Sequence, residues 1–213
     1  MENVLSLYKC PHNPEYPMIC MDESSKQHEA GKLNNIPAKR GKVERFDTGY
    51  ERNGVSNILL SFEPLTGKRY IDVSERRTRL DWAKHIQKLV DEHYPKAKKI
   101  LLVCDNLNIH TGASLYELLP PKEAKRIVDR LEFRYTPKHG SWLNMAEIEL
   151  SHLSRQCLNR RLSDILEVKK EVAAWLEGRN KDGHVVDWRF TVEDARIKLK
   201  KLYPTIAKIN ETL

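Results

Sequence analysis

Two short, continuously apolar segments constrain the fold of this chain most strongly. Residues 18–21 end at Asp22, and residues 100–104 end at Asp105. Apolar runs of this length predict strands that are buried on both faces, as in a sheet covered by helices on each side. In open α/β sheets the functional site lies beyond the carboxyl ends of the strands. The two aspartates are therefore candidates for one shared site.

The remaining patterns predict strands and helices in alternation. Residues 55–63 and 68–74 flank a Pro/Gly turn and predict a β-hairpin. Residues 78–93 predict a helix that ends before Pro95, and 133–135 predict a further strand. Further helices are expected at residues 111–118, 122–130 and 165–177, and from 191 onward. With the two apolar strands paired in parallel, this order predicts an α/β fold, a ribonuclease-H-like mixed sheet of about five strands with flanking helices.

Residues 24–54 form a basic stretch that the sequence predicts to be mostly irregular. Long irregular connections are uncommon inside compact domains and are often functional. The net charge of +7 favours a polyanionic partner. The stretch is either a DNA-backbone contact or a solvated loop. Its candidate DNA-binding residues are Lys39, Arg40, Lys42 and Arg45.

Residues 133–157 predict a strand, a break at Pro137 and Gly140, and then a helix. Lys138 and His139 lie in the break and are further candidates for DNA contact. The buried face of the helix is predicted by apolar residues at steps of three and four, namely Leu143, Ala146, Leu150, Leu153 and Cys157. Glu147 and Glu149 lie near opposite edges of this face. Periodicity alone therefore does not choose between these two acids.

A third carboxylate beside Asp22 and Asp105 would complete a site for divalent metal ions. Carboxylates held close together repel one another, and a bound cation removes that cost. Oxygen ligands suit Mg²⁺ or Mn²⁺, and two such ions can cleave a phosphodiester in line. The alternative is that these acids are ordinary strand-end and surface residues. Asn106 and His110 follow Asp105 and are candidates for supporting roles, either at its carboxylate or at the scissile phosphate.

Several other classes of site and protein find little support in the sequence. The four cysteines form no C-x-x-C pair, and Cys10 with His12 has no second pair at zinc-site spacing. Asp105, His110 and Ser114 could suggest a hydrolase triad, but the G-x-S-x-G elbow is missing. No apolar run is long enough to span a membrane, and the N-terminus does not resemble a signal peptide.

Three ordered motifs resemble the catalytic domain of DDE transposases of the mariner-type superfamily, in its bacterial insertion-sequence branch. They are residues 21–24 (MDES), 104–110 (CDNLNIH) and 136–147 (TPKHGSWLNMAE). The last resembles the family's leucine-asparagine-x-x-glutamate signature and so assigns the third carboxylate to Glu147. The resemblance also extends to residues 50–54 and to the tail from residue 187.

The resemblance implies a ribonuclease-H-like fold with two divalent metal ions, Mg²⁺ or Mn²⁺, at Asp22, Asp105 and Glu147. It implies DNA cleavage at insertion-sequence ends and strand transfer into target DNA, typically at a TA dinucleotide. It also implies a homodimer that works in the bacterial cytoplasm, at the nucleoid when bound to DNA. We expect Glu147→Gln to abolish cleavage and Glu149→Gln not to.

The expected organisation is a lead-in at residues 1–16, a catalytic core at 17–160 and C-terminal helices at 161–213 that pack on or extend the core. Relatives read transposon ends with a helix-turn-helix region, and only about twenty residues precede Asp22. We expect a separate or frameshifted reading frame to supply that region, or the chain to be a fragment. Two alternatives remain open, a non-catalytic DNA-binding or dimerising remnant and a structure-selective nuclease of the same fold.

Overall fold

A mixed five-stranded sheet forms the centre of the computed structural model, which describes residues 1–31, 36–45 and 49–203. Its strands lie in the order β3-β2-β1-β4-β5. The pairs β3–β2 and β2–β1 are antiparallel, and β1–β4 and β4–β5 are parallel. The predicted sheet of about five strands is therefore confirmed. The strands are β1 (Met18–Gly31), β2 (Tyr50–Glu63), β3 (Lys68–Ser74), β4 (Ile100–Cys104) and β5 (Leu131–Tyr135).

Helices follow the strands in an order close to the predicted one. The α-helices are α1 (Glu2–Leu7), α2 (Arg79–Lys88), α3 (Ala113–Leu118), α4 (Pro121–Asp129), α5 (Ala146–Leu153), α6 (Ile165–Asp182) and α7 (Val192–Lys198). A π-helical turn, Leu89–His93, continues α2, and a second, Ser154–Leu158, continues α5. Short 3₁₀ turns lie at Ser141–Leu143 and Lys200–Leu202. None of the helices in the described part is long and apolar enough to cross a membrane.

The central strands are buried on both faces, as their continuous apolar sequences predict. In β1, Ile19 and Met21 belong to a core that α2, α3 and α4 cover. Cys20, between them in the chain, belongs to the opposite core, beneath α1, α5 and α7. Successive side chains of a strand point to opposite faces, so a strand between two helical layers needs apolar residues at every position. The same alternation holds in β4, where Leu102 and Val103 enter different cores.

The prediction of a mostly irregular connection at residues 24–54 is wrong at both ends of this stretch. β1 runs on to Gly31, and β2 begins at Tyr50, so the two strands form a long antiparallel ribbon. Residues 36–45 form a further hairpin, called the outer hairpin below, in which Lys39 pairs with Lys42. The ribbon could not be predicted from the sequence, because its half farthest from the core buries little surface on either face. That half therefore lacks the alternation of apolar residues that is typical of a strand. Residues 32–35 and 46–48 of this stretch lie outside the described residues.

The predicted helix after Gly140 is divided into three parts. The Ser141–Leu143 turn comes first, α5 starts only at Ala146, and the π-helical turn carries Cys157. Further along, α6 continues to Asp182, past residue 177, where the sequence predicts its end. Gly183, in the left-handed conformation at φ 62°, ends that helix. Glycine is favoured there because it adopts this conformation without steric cost.

Both chain ends that the structure describes pack against the core. Leu5 of α1 is completely buried in the core beneath α5. The Tyr8 hydroxyl donates a 2.5 Å hydrogen bond to the carbonyl of Leu143. Arg196 of α7 makes two hydrogen bonds, of 2.8 and 2.9 Å, to the carboxylate of Glu2. Residues 204–213 of the predicted C-terminal segment lie outside the described residues.

Candidate active site

The ends of β1 and β4 bring Asp22 and Asp105 to the same edge of the sheet. In the parallel pairing of these strands, Cys20 lies opposite Val103. Asp22 and Asp105 are each two residues further on and so leave this pair of strands together. β1 continues past this point, paired only with β2, while β4 ends at Cys104. The divergence of the two strands opens a position that side chains from other elements reach.

The Asp22 carboxylate is held by polar contacts on two sides. Asn144 donates from its side-chain amide to Asp22 Oδ2 at 3.2 Å and to the Met21 carbonyl at 2.8 Å. The backbone N–H of Glu23 donates to Asp22 Oδ1 at 2.8 Å. Burial is the main reason that the pKa of Asp22 is raised to about 7. The charges of Glu147, Glu23 and Asp105 also raise this pKa, and the hydrogen bond from the Glu23 backbone opposes the rise. The carboxylates of Glu147, Glu23 and Asp105 thus all disfavour the negative charge of Asp22.

Asp105 is supported by a fully buried histidine. His110 Nδ1 lies 2.6 Å from Asp105 Oδ1, and the backbone N–H of Leu107 donates to the same oxygen at 3.3 Å. On the other side of the ring, His110 Nε2 lies 3.1 Å from Glu23 Oε2. Burial lowers the pKa of His110, but the carboxylates of Glu23 and Asp105 outweigh it and raise this pKa. His110 therefore bridges an acid from β1 and an acid that follows β4.

Glu147 and Glu149, which periodicity left equivalent, have opposite environments. Glu147 is exposed, and its charge contributes to the raised pKa of Asp22. Glu149 is buried, and both of its oxygens accept hydrogen bonds from Arg69 and Arg179. Burial tends to raise the pKa of Glu149, but the two guanidinium groups hold it below its usual value. Only Glu147 is thus free to face Asp22.

The remaining predicted site residues lie on exposed segments. Lys138 and His139 form the turn between β5 and α5, and His139 adopts a left-handed conformation at φ 61°. Gly140 closes this turn, since a Cβ there would lie 2.7 Å from Pro137 Cγ. Asn106 is exposed beside Asp105. The basic residues of the outer hairpin are also exposed and, within the part of the chain that the structure describes, form no hydrogen bond or ion pair with the three acids; they are Lys39, Arg40, Lys42 and Arg45.

Asn144 and Glu23 are polar residues of the site to which the sequence assigned no role. Asn144 is buried, and besides its contacts to β1 its side-chain oxygen accepts from the backbone N–H of Ala146 at 3.2 Å. It therefore joins the start of α5 to the end of β1. Glu23 Oε2 has only the His110 ring beside it among polar groups in the described residues. Asn144 lies inside the helix that the sequence predicts, so periodicity gave no sign of its role, and the leucine-asparagine-x-x-glutamate motif was the available signal.

Two Ser-His-Asp arrangements in the structure are not hydrolase sites. Ser114 donates to the carbonyl of Ile109 at 2.8 Å instead of contacting His110. Ser61 lies 2.8 Å from His85 Nε2, whose Nδ1 lies 2.7 Å from Asp72. Ser61 is fully buried, however, so no substrate carbonyl can reach its hydroxyl. The second arrangement joins β2, β3 and α2 as a structural chain of hydrogen bonds.

The donor set at Asp22, Asp105 and Glu147 fits a hard divalent cation. Carboxylate oxygens are the ligands of Mg²⁺ and Mn²⁺. Burial, and to a smaller extent the charges of neighbouring carboxylates, raise the pKa of Asp22 and disfavour its negative charge, and a cation would relieve both effects. As the side chains stand, no three His, Cys, Asp or Glu residues within 1–31, 36–45 and 49–203 are grouped closely enough to hold an ion. Glu147 and Asp105, both accessible to solvent, are the ligands that would have to adjust.

Comparison with known families identifies the family of this chain. The sequence profile of the DDE superfamily endonucleases matches residues 17–169. The chain belongs to this family. The matched range contains all five strands and the three acids of the site. No curated protein matches the chain significantly.

Solved structures of the Mos1 mariner transposase share the fold of this DDE family member. The Mos1 paired end complex with Mn aligns with a TM-score of 0.55 at 14% identity, covering 83% of this chain and 52% of the Mos1 chain. The complex with Mg aligns at 0.53 and 12% identity, covering 96% and 62%. The strand transfer complex aligns at 0.52 and 14% identity, covering 85% and 53%. The likeness establishes the ribonuclease-H-like fold, and the chain spans between half and two thirds of the Mos1 chain.

Proposed function

We propose that this chain is the catalytic domain of a DDE transposase that cleaves DNA at insertion-sequence ends and transfers the cleaved strand to target DNA. The observation that carries the proposal is that Asp22 and Asp105 follow the neighbouring parallel strands β1 and β4, and that the charge of Glu147 on α5 acts on Asp22. Their combined negative charge favours the binding of a cation, so the site suits a metal-dependent reaction. The DDE endonuclease family match supports the same reaction class.

The acids of the site are proposed to act as metal ligands, and their neighbours as supports. Asp22, Asp105 and Glu147 would hold two Mg²⁺ or Mn²⁺ ions, which activate the attacking oxygen and stabilise the leaving oxygen when bound. Asn144 orients the Asp22 carboxylate. His110 fixes the Asp105 carboxylate, and Glu23 fixes the His110 ring from its far side. Such supports are common at metal-binding carboxylates. Asn106, exposed beside Asp105, is proposed to meet the scissile phosphate.

DNA is the proposed partner, through two exposed basic segments. Lys138 and His139 lie on the turn that leads into α5 and would meet the phosphates beside the scissile bond. The outer hairpin, residues 36–45, carries Lys39, Arg40, Lys42 and Arg45 and would follow the backbone further along. Contacts of this kind bind duplex DNA without reading its sequence. Recognition of a specific end is therefore assigned to a helix-turn-helix region, in the same protein or from a separate or frameshifted frame.

The proposed assembly is a homodimer in the bacterial cytoplasm, located at the nucleoid while bound to DNA. Two insertion-sequence ends have to be cut and joined together, and a dimer supplies one active site for each. The Mos1 transposase complexes that share this fold include paired end and strand transfer complexes. Both kinds of complex support a role in cutting ends and in joining them to a target.

Cleavage of labelled DNA tests the proposal directly. The substrate is a duplex that carries the inverted repeat bordering the gene, incubated with the protein, its helix-turn-helix partner and Mg²⁺ or Mn²⁺. Strand transfer is measured with a pre-cleaved end and a supercoiled plasmid. We expect Asp22→Asn, Asp105→Asn and Glu147→Gln each to reduce both reactions by about a hundredfold or more, since each removes a metal ligand.

Each other outcome favours a specific alternative. Equal cleavage by wild type and Asp105→Asn would show that the site lies elsewhere. DNA binding without cleavage in either metal, with the partner present, would favour a non-catalytic remnant. Cleavage of branched DNA in preference to the inverted repeat would favour a structure-selective nuclease. Loss of cleavage on chelation by EDTA is the control for metal dependence.

A further inference from the structure

Glu149 of α5 is the centre of a cluster of three charged side chains, which it forms with two arginines. It lies two residues beyond Glu147, the proposed metal ligand. Arg69 of β3 donates from Nε and Nη2 to the two Glu149 oxygens at 2.6 and 2.9 Å. Arg179 of α6 donates to the same two oxygens at 3.1 and 3.0 Å. Both pairs are bidentate, so they fix the orientation of the carboxylate as well as its position.

Arg69 is itself held rigidly and is completely buried. Its guanidinium lies over the ring of Phe62 at 4.6 Å and donates to the carbonyls of Gly67 and, at 2.7 Å, of His184. The side chain of Asn180 makes two hydrogen bonds of 2.9 Å with the backbone of Arg69. Strand β3, helix α6 and the segment after α6 therefore all meet at the one carboxylate that α5 presents to them.

Such a cluster is poorly explained as a device for stability alone. Buried ion pairs lose much of their attraction to desolvation, and apolar residues of similar size often stabilise a fold as well or better. The cluster does, however, fix the rotation of α5 about its axis. α5 has only eight residues, and Glu147 and Glu149 are about 200° apart around its axis. Fixing Glu149 against the core therefore fixes Glu147 on the opposite side, toward Asp22.

We propose that Arg69, Glu149 and Arg179 are positioning residues, which hold α5 in the rotation that keeps Glu147 facing Asp22 and Asp105. The inference rests on the proposed function, since it gives the cluster a task only if Glu147 is a metal ligand. Asn144 fixes the start of the same helix to β1. α6 thereby becomes part of the catalytic apparatus without touching DNA or metal. Glu149→Gln is still expected not to abolish cleavage, and the cluster adds the expectation that this variant slows it.

The test compares Glu149→Gln and Arg179→Lys with wild type in three measurements. Mn²⁺ binding is followed by titration calorimetry without DNA, DNA binding by anisotropy in EDTA, and cleavage by single-turnover kinetics. We expect both variants to weaken Mn²⁺ binding and slow cleavage by about tenfold, with DNA affinity unchanged, as when the groups that orient a ligand are removed. Arg179→Lys is the gentler change, because Arg179 is partly exposed and lysine keeps the charge.

A stability-matched control separates positioning from a general loss of folding. Ile127→Ala removes a buried side chain of α4 on the opposite face of the sheet. It should lower the melting temperature yet leave Mn²⁺ binding and cleavage below that temperature unchanged. The double variant Glu149→Gln/Arg179→Lys should bind Mn²⁺ no more weakly than the worse of its two single variants, because both act through one contact.

Two results would overturn the inference, and they are distinct from failure of the proposed site. Mn²⁺ binding and cleavage equal to wild type in Glu149→Gln and Arg179→Lys, with only the melting temperature lowered, would make the cluster purely structural. Equal losses in Ile127→Ala would lead to the same conclusion. Full cleavage by Glu147→Gln would instead disprove the proposed site itself.

Discussion

At the scale of single residues, Asn144 shows how one side chain can serve two elements. Its amide donates to β1 at Met21 and Asp22, while its oxygen accepts from the first turn of α5. A single buried residue thus sets the separation between the Asp22 carboxylate and the helix that carries Glu147. A basic residue at this position would instead add a positive charge beside Asp22, where we propose that a metal ion binds.

We expect Asn144→Ala to reduce cleavage by about 10- to 100-fold, because Asp22 loses the donor that orients it. The buried carbonyl of Met21 also loses its side-chain partner, which costs about 1–3 kcal/mol of stability. Single-turnover cleavage and urea unfolding measure the two effects. Asn159→Ala, at an exposed position whose side chain makes no hydrogen bond within the described residues, is the matched control and should change neither. Wild-type cleavage in Asn144→Ala would remove Asn144 from the active site.

The sequence alone predicted some residues of this site but not all of them. The apolar runs before Asp22 and Asp105 were enough to predict that both lie at one edge of the sheet. The choice between Glu147 and Glu149 was not accessible from periodicity, because it depends on Arg69 and on Arg179, which are distant in the chain. Only the resemblance of the motif favoured Glu147. The structure supplies the physical reason, since Glu149 is already neutralised inside the protein.

At the scale of elements, the extended ribbon of β1 and β2 is the main feature that the sequence concealed. The inner halves of both strands were predicted because they cross the core. Their outer halves bury little surface and are held by the backbone ladder instead of by side-chain burial. The exposed basic residues of the outer hairpin therefore add little to the stability of the fold, and we propose that they contact DNA.

The outer hairpin is predicted to supply salt-dependent DNA affinity. Replacing Lys39, Arg40 and Lys42 with alanine should weaken binding to duplex DNA of any sequence. The slope of log K against log salt should become shallower by about 0.9 for each phosphate that the variant no longer neutralises. Anisotropy titrations at several salt concentrations measure this slope. Replacing Lys169, Lys170 and Lys181 of α6 with alanine removes the same charge and should change the slope less. Equal changes would indicate a general charge effect without DNA binding by the hairpin.

At the scale of the whole molecule, the flanking segments are joined to the core more closely than the sequence indicated. The predicted lead-in at residues 1–16 contains α1, whose buried face lies in the core beneath α5. The C-terminal helices contribute Arg179 to the Glu149 cluster and Arg196 to Glu2. Local patterns found the helices but not these attachments, since attachments depend on pairs of residues that are far apart in the chain.

Leucine substitutions test whether α1 is an integral part of the fold. Leu5 is completely buried, so Leu5→Ala should lower the free energy of unfolding by about 2–5 kcal/mol through reduced burial and the cavity that remains. For a chain of this size, each kcal/mol lowers the melting temperature by about 2–4 °C. Leu166→Ala makes the same change in α6 at a side chain that is 74% exposed and should cost less than about 0.5 kcal/mol. Urea unfolding measures both. Similar small losses in the two variants would mean that residues 1–16 are a detachable lead-in, and the packing of α1 beneath the active-site turn at Leu143 would then have no role in holding the site.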